Sequence, residues 1–221
     1  MKKPLIIFGA GDIAELALTY FQQDSAYEPV ACCVDRAYIK NSTFCGLPVV
    51  AFEEVEASYS PASHAFFVAV SYAKLNELRK EKYLAAKAKG YPMASYISSR
   101  ATILNDEKIG ENCFILEDNT IQPFVSVGHN VTLWSGNHIG HHAVIGDHCF
   151  ITSHVVVSGG VTIGEQSFIG VNACLRDHIT IGPRCVIGMG AVIAHDAEAE
   201  GIYTAPEAVR SPVPSSKLKK I

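Results

Sequence analysis

The sequence predicts a small α/β domain, a Rossmann-like parallel sheet, followed by a parallel β-helix built from hexapeptides. Three observations predict it. A branched apolar residue recurs at every sixth position from Ile97 to Ile193, seventeen positions without a slip. Glycine often follows it, at Gly110, Gly128, Gly140, Gly146, Gly164, Gly170, Gly182 and Gly188. The first ninety residues instead alternate short apolar runs with helical stretches, and open with the turn Gly9-Ala10-Gly11-Asp12-Ile13-Ala14.

A six-residue period fits no helix, whose apolar face recurs at about 3.6 residues. It fits short strands joined by tight turns. The branched residue points inward, and the glycine after it is expected to relax the turn. A second inward position, four residues after the first, is small at Cys113, Ala143, Cys149, Ser167, Ala173, Cys185 and Ala191. Asn119 and Asn137 interrupt that ladder and need hydrogen-bond partners inside. With three hexapeptides per coil, residues 18 apart stack on one face.

In the first part, Leu5 to Phe8 reads as a buried strand and 12–21 as a helix. Pro29 to Val34 is a second strand ending at Asp35; Val49-Val50 and 65–70 are further strands. A charged helix is expected over 73–89, closed by Gly90 and Pro92. Strands alternating with helices imply a parallel sheet. The Gly-x-Gly-x-x-Ala turn presents backbone N–H groups at a helix N-terminus, where an anion binds. Asp35, 24 residues after Gly11, falls where a ribose hydroxyl is gripped. These features suit a nucleotide or nucleotide-sugar against Gly9, Gly11, Asp12, Asp35 and Arg36. A tight turn that binds nothing is the competing reading. The domain is short for a dinucleotide. Ser71, Asn76 and Arg79 follow the strand ending at Val70 and flank the mouth of this site; a solvated helix face competes for Arg79.

The 221 residues suit two domains and a tail: 1–93, 94–200 and 201–221. Net charge is −4, and the one basic block is Lys217, Lys219 and Lys220, so no nucleic-acid partner is expected. No apolar run is long enough to span a membrane, and no secretory cleavage pattern follows the N-terminus. Seven cysteines, three of them on the inward ladder 36 residues apart, read as reduced thiols of a cytoplasmic protein.

The pairing of this α/β domain with hexapeptide coils resembles the bacterial family of nucleotide-sugar N-acetyltransferases and sialic acid O-acetyltransferases. Three stretches carry the resemblance: Phe8 to Glu15, Val34-Asp35-Arg36, and His141 within Trp134 to Phe150. It covers residues 1 to about 200. The resemblance implies a left-handed β-helix, a homotrimer with active sites between subunits, and acetyl-CoA in the groove between neighbouring coils. It also implies a nucleotide-linked amino sugar held by the N-terminal domain.

His141 is the expected general base. An amine attacking a thioester must lose a proton, and an unperturbed imidazole titrates near working pH. His141 follows the inward Ile139 by two residues and so lies outside the coil; a plain surface histidine is the competing reading. In the resembling family the matching histidine is followed by an acid that orients it, whereas here the follower is His142. Asn137 either orders the loop before His141 or fills a core gap. His142, His148 and His154 fall on three different faces, so they form no metal array within one chain. His154 is expected near the substrate of a neighbouring subunit, with plain packing as the alternative. Zinc held by His142 and His178 lacks a third ligand, and no metal is expected.

Backbone N–H groups at Ser158 to Gly160 are expected to meet the thioester oxygen or pantetheine, with Gly159 and Gly160 foremost. Gly170, Ala173, Gly188 and Ala191 are expected along acetyl-CoA. The family's Gly-x-Pro-Ala stretch is absent; Tyr203 to Ala208 stands in its place. The expected reaction is N-acetylation of the amine by direct attack, in surface glycan and lipopolysaccharide (O-antigen) biosynthesis. An O-acetyltransferase shares nearly all these residues, and a non-catalytic nucleotide-sugar binder also stays open. A dinucleotide-dependent oxidoreductase leaves the coils without a role.

Overall fold

The computed structural model describes residues 2–106 and 108–217; Lys219 and Lys220 of the basic block lie outside them. Strands β1 (Lys3–Phe8), β2 (Tyr27–Val34), β3 (Thr43–Phe44), β4 (Leu47–Ala51) and β5 (Ala65–Val68) form one sheet in the order β3-β4-β2-β1-β5. It is parallel except for the β3–β4 hairpin. That hairpin turns at Cys45 and Gly46, whose φ values of 48° and 81° suit a two-residue turn with both central residues left-handed. Leu5 to Phe8 and Ala65 to Val68 are buried throughout, as parallel strands covered on both faces must be.

Helix α1 (Asp12–Gln23) buries Ala14, Ala17, Leu18 and Phe21, one stripe at helical spacing. A short α2 (Val55–Ser58) precedes β5. The third helix, α3, spans Glu77–Ala88, not the 73–89 expected. Lys74, Leu75 and Asn76 have φ between 52° and 66°, a run no α-helix can include.

From Tyr96 onward the chain winds as a left-handed parallel β-helix with three faces. Residues 18 apart pair in register, for example Ser126 with Val144 and Val144 with Thr162. The first face runs from Tyr96–Ile97 through Phe114–Ile115, Thr132–Leu133, Phe150–Ile151, Phe168–Ile169 and Val186–Ile187 to Ile202–Tyr203. The coil therefore continues past the expected boundary at 200. The second face carries His138–Ile139 and the third Val144–Ile145.

The inward ladder is buried from Ile115 to Ile193. Burying each such side chain contributes about 1.5–3 kcal/mol. Ile97 departs from it at 38% exposed, and Ile103 and Ile109 are partly buried, because no coil lies beneath the first ones.

The turns do not use glycine as expected. The left-handed residue stands three positions after each ladder residue: Asn130, His142, His148, His154, Gly160, Gln166, Asn172, His178, Arg184 and Gly190 all have φ between 56° and 69°. The ladder glycines answer a different constraint. A Cβ at Gly164 would lie 2.4 Å from the Pro183 nitrogen, and one at Gly170 would lie 2.5 Å from the Met189 nitrogen. Close approach of the next coil requires glycine there, not backbone handedness.

Candidate active site

The N-terminal domain packs on the first face of the coils. Tyr96, Phe114 and Leu116 join Leu5, Phe21 and Phe67 in one core, and the Tyr72 ring lies 5.2 Å from Phe150 and 4.9 Å from Phe168. Helix α3 turns Arg79, Lys82, Tyr83 and Ala86 inward. Arg79 is 2% exposed and faces no carboxylate among the described residues. Its guanidinium donates to the carbonyls of His148 (2.9 Å), Cys149 (3.2 Å) and Asn130, and to Asn76 Oδ1 (3.0 Å). Burial pushes it down to about 10, so it stays charged at neutral pH.

Sequence reading placed Asn76 and Arg79 at the mouth of a ligand site, and the structure corrects both. Asn76 is fully buried and donates to the Gln166 and Ser167 carbonyls, so its amide is spent on the coil. The partners are a polar column 18 residues apart: Asn112, Asn130, His148 and Gln166. Asn112 donates to Asn130 Oδ1 (2.8 Å) and accepts from the Val68 N–H, and Asn130 meets His148 Nδ1 at 2.9 Å. Their common spacing was the signal available beforehand.

The sheet's strand order reverses at β1, with β2 on one side and β5 on the other, which is where such sheets bind ligands. Two clefts open there. One of about 300 Å³ is lined by Ala10, Tyr38, Lys40 and Asn41. One of about 570 Å³ is lined by Asp35, Tyr38, Ala73, Lys74 and Lys82. Gly9 has φ 135°, and a Cβ there would stand 2.7 Å from the Ala69 carbonyl oxygen. Gly11 is open, with nothing within 4 Å of an added Cβ. Asp12 and Glu15 occupy the first turn of α1 and oppose an anion there. Three lysines line the clefts, Lys40, Lys74 and Lys82, none singled out by the sequence, and Lys82 is taken up by Asp35. Asp35 is engaged by Lys82 at 2.8 Å, Arg36 pairs with Glu54, and Ser71 is half-buried.

His141 stands at the corner between the second and third faces, the one corner that does not border the docked face. Its backbone N–H donates to Gln122 Oε1 at 2.8 Å, and its Nδ1 lies 3.1 Å from His142 Nδ1. Its ring lies against Gly159, one coil on: a Cβ there would meet Cε1 at 2.6 Å and Nε2 at 2.7 Å. The Gly159 N–H has no acceptor among the described residues. Gly140, one coil beyond Gln122, has no side chain to serve it.

Residues 124–159 and 160–195 each match the family model described as bacterial transferase hexapeptide (six repeats). Over those residues the coils carry that family's hexapeptide pattern. Solved structures share the whole two-part architecture. The acetyltransferase domain of PglB from Neisseria gonorrhoeae matches with a TM-score of 0.83 at 24% identity, over 92% of this chain and 97% of that one. A histidine mutant of perosamine N-acetyltransferase from Caulobacter crescentus, in complex with CoA and GDP-perosamine, matches at 0.83 and 21%, over 91% and 93%. WeeI from Acinetobacter baumannii matches at 0.77 and 19%, over 91% and 96%. At these identities the likeness is one of fold. No curated protein sequence matches the chain.

The hexapeptide coils bring some expected residues together and separate others. His141, His142, Gly159 and Gly160 share one corner, and the His178 ring lies against Gly160. Asn137 is instead 1% exposed inside the coil, where it accepts from the Val155 N–H (2.8 Å) and donates to the Trp134 carbonyl (2.5 Å). It fills a core gap. Ala173 and Ala191 lie in the hexapeptide core and expose no side chain to a cofactor, a correction of the expectation above. Gly188 borders an open cleft of about 690 Å³ with Val171, Asn172, Met189 and Thr204, while Gly170 is buried. His154 is exposed at another corner, its ring against Gly136. No three metal-ligating side chains cluster, and no helix is long and apolar enough to cross a membrane, among the described residues.

Proposed function

We propose that this protein is an acetyl-CoA-dependent N-acetyltransferase acting on the amine of a nucleotide-linked amino sugar, in surface-glycan biosynthesis in the cytoplasm. The observation that carries the reading is the His141 imidazole lying against Gly159 beside an unpartnered backbone N–H. That pair offers a base and an oxyanion donor at one place. The fold supports it: the PglB domain is also known in complex with acetyl coenzyme A, and the perosamine enzyme with CoA and GDP-perosamine.

The nucleotide binds at the clefts around Tyr38, against Gly11, Asp35 and Ser71, with Lys40 and Lys74 toward its phosphates. The acetyl-CoA chain lies at the corner of Gly159 and Gly160; the cleft at Gly188 stands at the corner that carries His154. The amine nitrogen attacks the thioester carbon, His141 Nε2 takes the amine proton, and the Gly159 N–H donates to the oxygen that gains charge. The C–S bond then breaks, and the imidazolium returns the proton to the leaving thiolate. This reading has direct attack and no acyl-enzyme: Cys113, Cys149 and Cys185 are buried in the coil, burial pushes the first two thiols up to about 12, and the partly exposed Cys174 stands on a strand of the second face rather than at the corner of His141.

The clefts are lined by the N-terminal domain, which packs on the first face, whereas His141 stands at the corner opposite that face. A second subunit must therefore supply one half of each site, and a homotrimer closes that arrangement. His154, exposed at a different corner, is the side chain a neighbouring subunit presents toward the sugar.

The test is CoA release from acetyl-CoA with a panel of nucleotide-linked amino sugars, with His141→Asn alongside. Turnover with one amino sugar, reduced about 10²-fold to 10⁴-fold in the variant, supports the assignment. Turnover only with hydroxyl acceptors overturns the amine, and nucleotide binding without CoA release overturns catalysis.

A further inference from the structure

His141 acts as a base through Nε2 only if its single neutral-state proton sits on Nδ1, so something must select that tautomer. No carboxylate reaches its ring among the described residues. Its one side-chain hydrogen-bond partner for the ring among the described residues is His142, Nδ1 to Nδ1 at 3.1 Å. We infer that His142 is the positioning residue for the base: a neutral imidazole whose Nδ1 lone pair accepts the His141 Nδ1–H and leaves Nε2 free over Gly159. The inference rests on the reading of His141 as base and adds the group that orients it.

Two features hold His142 for this task. It is left-handed, with φ 60°, so the turn common to the other coils fixes its backbone beside His141. Phe124, one coil earlier, packs on its ring with centroids 4.7 Å apart. Phe124 is itself left-handed at φ 66° and 60% exposed, a costly conformation for a bulky residue. His142 must carry its own proton on Nε2, which leaves its Nδ1 an acceptor only. An imidazole orients by a lone pair without a full negative charge, so it stabilises the His141 imidazolium less than a carboxylate does.

The experiment combines a substrate-free spectrum with kinetics. Long-range ¹H–¹⁵N spectra of the full-length ¹⁵N-labelled protein at pH 8 report which nitrogen of each histidine is protonated, and His141→Asn identifies the His141 signals. The expected result is an Nδ1–H tautomer at His141 in the wild type, shifting toward Nε2–H in His142→Phe, which keeps the ring stack on Phe124. An Nε2–H tautomer in the wild type, or no change in His142→Phe, overturns the inference. In turnover, His142→Phe should lower kcat about tenfold or more with KM for acetyl-CoA unchanged, and His142→Asp should restore it. Equal losses in both variants overturn it as well. The spectra need no sugar, so silence across every amino sugar would sink the transferase reading without touching the tautomer result.

Discussion

The His141 ring occupies the space that a side chain on Gly159 would fill, 2.6 Å from the position of its Cβ. These two residues come from successive coils, and the glycine is what lets the imidazole lie against the backbone. The backbone of Gly159 is not left-handed, so alanine is conformationally acceptable there. The atom it meets is the far end of a side chain, which moves. Gly159→Ala is therefore expected to leave the melting temperature nearly unchanged while displacing the ring. Misplacing a catalytic group by about 1 Å costs up to about 10²-fold. A kcat drop with an unaltered melting curve checks this; full activity would separate Gly159 from the site.

Arg79 joins the two halves through carbonyl oxygens and the face of the Phe150 ring. Arg79→Ala leaves the His148 and Cys149 oxygens without this donor in a buried seam. The expected loss is about 3 kcal/mol or more of unfolding free energy. Arg79→Lys should recover little, because one ammonium cannot span the carbonyls that a planar fork reaches. Urea denaturation of both variants measures it.

Stability should fall in mild acid through His148. Burial pushes its imidazole down to about 4 from an ordinary value near 6.5. The unfolded chain thus binds the proton first as pH falls. The stabilisation from the neutral folded histidine is complete above about 6.5 and is lost progressively down to about 4. The size of the effect is about 3 kcal/mol. His148→Asn should flatten the wild-type fall between pH 7 and pH 4.5 in a denaturant series; an unchanged slope would assign the fall to other groups.

Two glycines on the same coils should respond oppositely. Gly170→Ala drives a Cβ to 2.5 Å from the Met189 nitrogen, where backbone must shift, and should destabilise by about 1–3 kcal/mol. Gly190 has φ 67° and open space around it, so Gly190→Asn should be nearly neutral, since asparagine tolerates the left-handed region. Paired thermal melts decide between handedness and close approach as the rule for these glycines.

The cysteines separate by exposure. Cys45 is exposed and Cys174 partly so; Cys32, Cys33, Cys113, Cys149 and Cys185 are buried. Iodoacetamide on the native protein should modify the first two and reach the others only after unfolding, as read by mass spectrometry. Native labelling of Cys149 would show that the coil opens.

Much of this was legible beforehand because it is periodic. The stacking of residues 18 apart, the small inward ladder and the outward position of His141 follow from one repeat length. The docked helix was not legible, because α3 reads as a solvated charged stretch while Arg79 and Lys82 lie on its inner stripe. Asn76 was misplaced for the same reason: its partners are carbonyls 90 residues away. Ala173 and Ala191 were already on the inward ladder, and backbone geometry leaves an inward residue no route to a cofactor groove.

By itself, then, the sequence determined the coil, its register and the α/β domain before it, since period and glycine spacing are local properties of the chain. The tertiary structure alone decided which coil face the domain covers, and with it that His141 stands at the corner away from the clefts around Tyr38. It also decided that Asn76 and Arg79 are spent on carbonyls of the coils. Those outcomes depend on which side chains fill the space between elements far apart in the chain, and no local pattern encodes that.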